Sequence, residues 1–244
     1  MYFTLQYKGL FLLNQYKELY QQLLEPFQED LWSHKLTSCP IIVGTDYNNT
    51  SFKLLFVGRA VNGWEFDWHE DSLEGLVEQV FNHGFIIDDI ANKPVQPCGY
   101  NFNGSPFWQL CHQIMDDMGL SDSWSNKVAW SNLFKVAPFT GWNPNNKQIK
   151  IQIKSCIDLF KREIEIYKPT HIVLVTDSWW VDPDITEYSF AKELGITLNP
   201  DSKSSIVGTG VYNDSKIVVT KRPDSAGISR AEHSEQILST FLSL

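Results

Sequence analysis

Residues 146–176 read NKQIKIQIKSCIDLFKREIEIYKPTHIVLVT. Ile149, Ile153, Ile157, Phe160, Ile164 and Tyr167 recur every three or four positions, the spacing of one apolar face on an α-helix. Pro169 has no amide hydrogen to donate and ends that helix. His171 to Thr176 follows at once as an unbroken apolar run, which reads as a strand covered on both faces. A long amphipathic helix feeding a doubly buried strand is the repeating half of an α/β fold.

The same units recur outward from this stretch. Lys53 to Val57 (KLLFV) and Val128 to Phe134 read as buried strands, and Ile217 to Thr220 as a fourth. A helix opens at Ser105, with Pro106 in its first position and Gly119 just past its end. The last helix carries the capping-box pair Ser229 and Glu232 and runs to Phe241. Phe11 to Leu36 has helical spacing at Leu13, Tyr16, Leu23, Phe27 and Leu31, and Pro40 with the polar run Asp46 to Ser51 closes it. After Gly58 a loop runs through Trp68, then a helix from Asp71 to Gly84, then a loop from Ile86 to Tyr100. Asp182 to Ser205 reads as an insertion, and 182–210 carries no legible motif. No repeat or low-complexity tract interrupts the pattern. The expectation is one domain over 1–244 with a helical lead-in over 1–50. Its fold class is α/β, three-layer α/β/α around a central, mainly parallel four-stranded sheet.

Composition narrows the function. The chain has 244 residues, 43% apolar and 20% charged, which is globular rather than disordered. Aromatics reach 14% with nine Trp, as a thick core or a set of stacking faces requires. The net charge of −9 weighs against gripping long duplex DNA by charge alone, yet allows a local basic rim. Cys39, Cys98, Cys111 and Cys156 form no C-x-x-C pair, so free thiols and a cytoplasmic location are expected. Met1 to Leu13 is apolar but contains Lys8 and no small-residue cleavage pattern, and no run has the length of a membrane span. His112, His171 and His233 read as structural or surface groups, and no metal is expected because no pair has ligand spacing with a third donor.

In an open parallel sheet ligands gather beyond the carboxyl ends of the strands. The chemistry is therefore expected in the loops after Val57, Phe134, Thr176 and Thr220. The first loop is Gly58-Arg59-Ala60-Val61-Asn62-Gly63-Trp64. It is neither a P-loop nor a dinucleotide fingerprint, but its glycines permit close approach of backbone. Gly104-Ser105-Pro106-Phe107-Trp108 sets two aromatics in one helical turn, either as core packing or as a flat face for a base. Asn132-Leu133-Phe134-Lys135-Val136-Ala137-Pro138 offers an amide able to pair with a donor and an acceptor on one base edge, or to satisfy neighbouring backbone. Lys221-Arg222-Pro223-Asp224-Ser225-Ala226-Gly227 suits a phosphate-gripping loop, or a solvated turn.

In this order the segments resemble the uracil-DNA glycosylase superfamily over roughly Leu54 to Leu238. Gly104 to Phe107 looks like the G-x-P-F of its thermophilic, iron–sulfur branch. Asn132 to Pro138 looks like that branch's N-V-V-K-C-R-P, and Cys156 to Val175 like its cysteine, helix, Pro and buried strand. The resemblance implies base-binding roles for Gly58, Arg59, Ala60, Phe107 and Asn132. It implies catalytic roles for Asn62 and Arg222, and DNA contacts from Lys135, Lys221, Pro223 and Ser225. The departures are equally definite. Of the four cluster cysteines only Cys156 has a counterpart, and Val136 stands where another belongs, so no cluster and no other cofactor is expected. Ala60 occupies the place of the water-activating carboxylate or Asn. Asn62 orients water without deprotonating it, which leaves Glu65, Asp67 and His69 as candidate bases, beside the loop aromatics Trp64, Phe66 and Trp68. Arg222 replaces the His of the final loop and cannot act as a general acid.

The function so implied is a DNA glycosylase that hydrolyses the N-glycosidic bond of uracil or a related damaged base. Its expected partner is uracil-bearing or damaged DNA, single-stranded included, and no membrane. The alternative is a non-catalytic nucleobase or nucleic-acid binder on the same fold. A third reading, an unrelated nucleotide-binding α/β protein, gives no reason for Arg222 to face Asn132. Oligomeric state is not legible in the sequence.

Overall fold

A computed structural model of the chain describes residues 14–33, 35–61, 74, 75, 77 and 104–244. Glu74, Gly75 and Val77 are helical, as expected; the rest of the Asp71 to Gly84 helix and the flanking loops lie outside the described residues. The described strands are β1 Leu36–Ser38, β2 Ile42–Val43, β3 Leu54–Ala60, β4 Val128–Phe134, β5 Val136–Pro138, β6 His171–Val175, β7 Thr197–Leu198, β8 Ile206–Tyr212 and β9 Ser215–Thr220. The longer helices are α1 over 14–24, α2 Pro106–Asp117, α3 Asn146–Tyr167 and α4 Arg230–Ser243. None is long and apolar enough to cross a membrane. The chain divides into two compact units, one within Met1–Pro40, Ala60–Gly84 and Leu133–Lys168, the other within Ile41–Arg59, Phe85–Asn132 and Pro169–Leu244.

In the first unit α1 continues through a 3-10 turn, Glu25–Phe27, and a short helix, Gln28–Trp32. The expected apolar stripe is buried at Tyr16, Leu23, Phe27 and Leu31. Helix α3 starts with a full capping box: Gln148 N–H donates to Asn145 Oδ1 at 3.0 Å, and Asn145 N–H donates to Gln148 Oε1 at 2.8 Å. It ends at Lys168, whose φ of 47° turns the chain into Pro169. Its stripe of Ile149, Ile153, Ile157, Phe160 and Ile164 is buried, each side chain worth about 1.5–3 kcal/mol of transfer free energy. After β4 the chain forms β5, which pairs antiparallel with β1 through Thr37 and Ala137. The buried Gln152 holds β5 to α3, accepting from Val136 N–H at 3.0 Å and donating to Val136 C=O at 2.8 Å.

The second unit is built on a mixed seven-stranded sheet in the order β2-β4-β3-β6-β9-β8-β7. Its centre is parallel: β3 pairs with β6 and β6 with β9. The expected count of four strands is corrected to seven. All four expected strands are present, and the additions are edge elements. A tight turn at Asn213 and Asp214, both with positive φ, folds β8 back antiparallel on β9. β7 pairs with β8, and β2 pairs antiparallel with β4. Within 182–210 the stretches 197–198 and 206–210 are thus sheet edge, with a short helix at Phe190–Glu193. These strands are short or glycine-bearing, which hides their two-residue alternation. Helices α2 and α4 pack together, with Ser234 Oγ donating to Asp117 Oδ2 at 2.6 Å. Lys216 Nζ on β9 donates to Phe241 C=O at 2.6 Å, fixing the end of α4 to the sheet.

Candidate functional site

Strand β3 runs further than the sequence predicts, so Gly58, Arg59 and Ala60 are strand rather than loop residues. Alternation along the strand then decides what each presents. Phe56 and Gly58 share a face. Phe56 meets the Phe107 ring at a centroid separation of 4.6 Å. A Cβ added at Gly58 would lie 2.5 Å from Asn132 Oδ1 and 3.6 Å from Phe107 Cε2. Gly58, Phe107 and Asn132, distant in sequence, therefore converge. What Gly58 contributes is the absence of a side chain, not an unusual φ.

Phe107 is positioned by the start of α2, where Ser105 caps the Trp108 amide and Pro106 fills the first helical position. The two aromatics of this turn part company. Trp108 is buried against Trp124 and Trp130, with centroids 6.3 and 5.1 Å away, as core. Phe107 remains half-buried beside Gly58. Asn132 is only 4% exposed. Among the described residues no group hydrogen-bonds its side-chain amide.

The opposite face of β3 carries a second cluster. Arg59 Nε donates to Thr176 C=O at 3.1 Å, and its guanidinium pairs with the Asp177 carboxylate. The guanidinium also lies 5.4 Å from the Trp180 ring centroid. Asp177 N–H donates to Thr220 C=O at 3.1 Å, so this residue links the carboxyl ends of β6 and β9. Its φ of 65° and ψ of 165° fall in a region normally left to glycine. The sequence reading misses Asp177, although an acid directly after a buried strand, at the edge where ligands gather, is a signal for it.

The loop after β9 is more self-contained. Arg222 Nε donates to Asp224 Oδ1 at 3.0 Å, and Ser225 Oγ donates to Arg222 C=O at 3.1 Å. Lys221 Nζ donates to Ser202 C=O at 2.9 Å. Lys221, Arg222 and Pro223 are half-buried and Ser225 is exposed. Ala60 is half-buried at the end of β3, and Asn62, with Glu65, Asp67 and His69, lies outside the described residues.

Lys135 is a correction. It is expected to contact DNA, but its side chain is 0% exposed and its Nζ lies 2.6 Å from Glu163 Oε1. Tyr16 OH donates to the same oxygen at 2.7 Å. A cation spent on a buried carboxylate has no path to phosphate; residue type alone hides this, because the bend between β4 and β5 decides which way the stem runs. The histidines have structural neighbours: His112 lies edge-on to Trp124, His171 sits between Phe52 and Phe241, and buried His233 bonds Thr220 Oγ1 through Nε2 at 2.5 Å. Burial pushes the Cys39 and Cys156 thiols up to about 12, so neither is a ready thiolate nucleophile. No family model and no curated protein sequence matches this chain.

Proposed function

We propose that this chain is a DNA glycosylase-like protein that takes uracil or a related damaged base out of a DNA strand and hydrolyses its N-glycosidic bond. The observation that carries this reading is the meeting of Phe107, Asn132 and Gly58. A half-exposed aromatic ring offers a stacking face. A nearly buried amide beside it offers a donor and an acceptor to one edge of a pyrimidine. A glycine opposite removes the side chain that would block approach. Hydrolysis of the bond leaves the base as an anion and builds positive charge on the sugar, so fixed donors around the base lower the barrier. The Asn132 amide supplies such a donor, and Arg222 and Lys221 supply positive charge on the loop after β9.

The second reading, binding of the base without hydrolysis, is favoured by Arg222 itself. It stands where the superfamily has a His, it is engaged with Asp224, and it has no proton to give at neutral pH. One experiment separates the readings. The protein is incubated in excess with uracil-bearing single- and double-stranded oligonucleotides, and both abasic product and binding are measured. Product that is lost in Asn132→Ala and Phe107→Ala supports the glycosylase. Uracil-dependent binding without product, lost in the same variants, supports the binder. Neither product nor uracil-dependent binding across several lesions removes both.

A further inference from the structure

The exposed side of α3 is unlike the rest of this acidic chain. With about 100° between successive helical residues, Lys147, Lys150, Lys154 and Lys161 fall within a stripe about 60° wide. The stripe spans about 21 Å at 1.5 Å per residue. Arg162 and the cap residue Lys168 flank it. Two carboxylates share this side. Asp158 pairs with Lys154 at 2.8 Å and Glu165 with Arg162 at 2.6 Å, while Glu163 points inward to Lys135. Lys147 and Lys150 are exposed and make no ion pair among the described residues. The surplus of positive charge on one helix contrasts with a chain total of −9.

At the amino end of this stripe stands Trp142, 74% exposed and three residues before the Asn145 cap. The loop that holds it is built rather than slack. Gly141 N–H donates to Pro138 C=O at 3.1 Å with Gly141 at φ 91°, Phe139 N–H donates to Lys35 C=O at 2.9 Å, and Pro144 is buried. A large flat ring is thus held out to solvent at the head of a row of cations.

We propose that Trp142 and the lysine stripe of α3 form a docking surface for a single nucleic-acid strand. A row of cations along one helix face follows a phosphate backbone, and an exposed indole stacks on a base of any sequence. A membrane surface fits less well, because the apolar face of α3 is already buried and leaves no hydrocarbon side to insert. An acidic protein partner would use the lysines too, but a strand repeats phosphate and base together, which matches cations and an indole set side by side. The surface lies within the first unit and does not rest on the base-reading function assigned to Gly58, Phe107 and Asn132.

The test uses the full-length protein and a fluorescein-labelled oligodeoxyadenylate, followed by anisotropy over a salt series. For the parent we expect log affinity to fall with log salt at about −0.7 per lysine engaged. The double variant K147Q/K150Q should flatten that slope by about 1.4 and weaken binding at low salt. Trp142→Ala should weaken binding about fivefold or more with the slope kept. Lys192→Gln, exposed in the short helix Phe190–Glu193, should change neither. All these side chains are exposed, so circular dichroism should report an unchanged fold. The proposal is overturned if the variants bind like the parent. It is equally overturned if duplex of the same sequence binds as tightly and ignores Trp142, or if polyglutamate or anionic vesicles compete as well as the strand.

Discussion

A side chain on Gly58 would come within 2.5 Å of Asn132 Oδ1, so a strand glycine and the amide of the neighbouring segment share one space. The proposed site depends on that vacancy. In Gly58→Ala the added methyl meets the far end of a side chain, not backbone, and Asn132 yields by turning its amide. We expect a loss of about 1 kcal/mol in stability, at the low end for overpacking. Binding or cleavage of a uracil-bearing strand should fall by tenfold or more. Urea unfolding and oligonucleotide assays on the same preparation check this; function kept at parental level in a folded G58A protein would show that the Gly58–Asn132 approach is packing only.

The Lys135–Glu163 pair is fully buried, with Tyr16 as a third member, so its parts are not independent. Lys135→Met strands a carboxylate in the core and should cost about 3–5 kcal/mol, whereas Lys135→Met with Glu163→Gln should recover much of that loss. Urea midpoints for parent, single and double variants measure the coupling. A mild effect in the single variant, together with a lower salt dependence of DNA binding, would return Lys135 to the surface role first expected of it.

Asp177 joins two opposing effects in one residue. Its φ of 65° with ψ of 165° disfavours any side chain, while its carboxylate holds Arg59. Asp177→Gly loses the ion pair but relieves the backbone; Asp177→Ala loses the pair and keeps the strain. We expect the Ala variant to be less stable than the Gly variant by about 1–3 kcal/mol. Equal midpoints in urea would mean that the backbone at 177 carries no strain.

How much of this was legible in sequence depends on the length of the signal. Helix α3, β4 and β6 span enough residues for their period to stand out, with Pro169 closing the helix, and each lies where the sequence puts it. The β7 and β8 edge was not legible, because β7 has two residues and β8 contains Gly208 and Gly210, so their alternation is too brief to stand out. In the candidate site, Phe107 and Asn132 were found through motif order, and their meeting at Gly58 adds what order cannot, the shared face of β3. Lys135 went wrong because a basic residue after a strand looks the same in sequence whether it turns to solvent or to Glu163. Asp177 was missed because its importance comes from a backbone angle and a partner 118 residues away.

His233 offers a pH prediction. It is buried, bonded to Thr220 Oγ1, and its pKa is lowered to about 4 by burial. His171, between two rings and near Lys216, is lowered to about 4 by burial and by that charge. An unfolded imidazole titrates near 6.5. Between about pH 6.5 and about pH 4 the unfolded chain therefore binds protons that the folded chain refuses. Stability is then at its plateau above about pH 6.5 and falls on acidification, by at most about 1.4 kcal/mol per pH unit for each imidazole. His233→Gln keeps a group able to bond Thr220 but cannot be protonated. Its stability should lie below the parent's at neutral pH, and the gap should narrow as pH falls toward 4. Urea unfolding of both proteins across this range measures the gap; a constant difference would show that His233 takes up no proton on unfolding beyond what it holds in the fold.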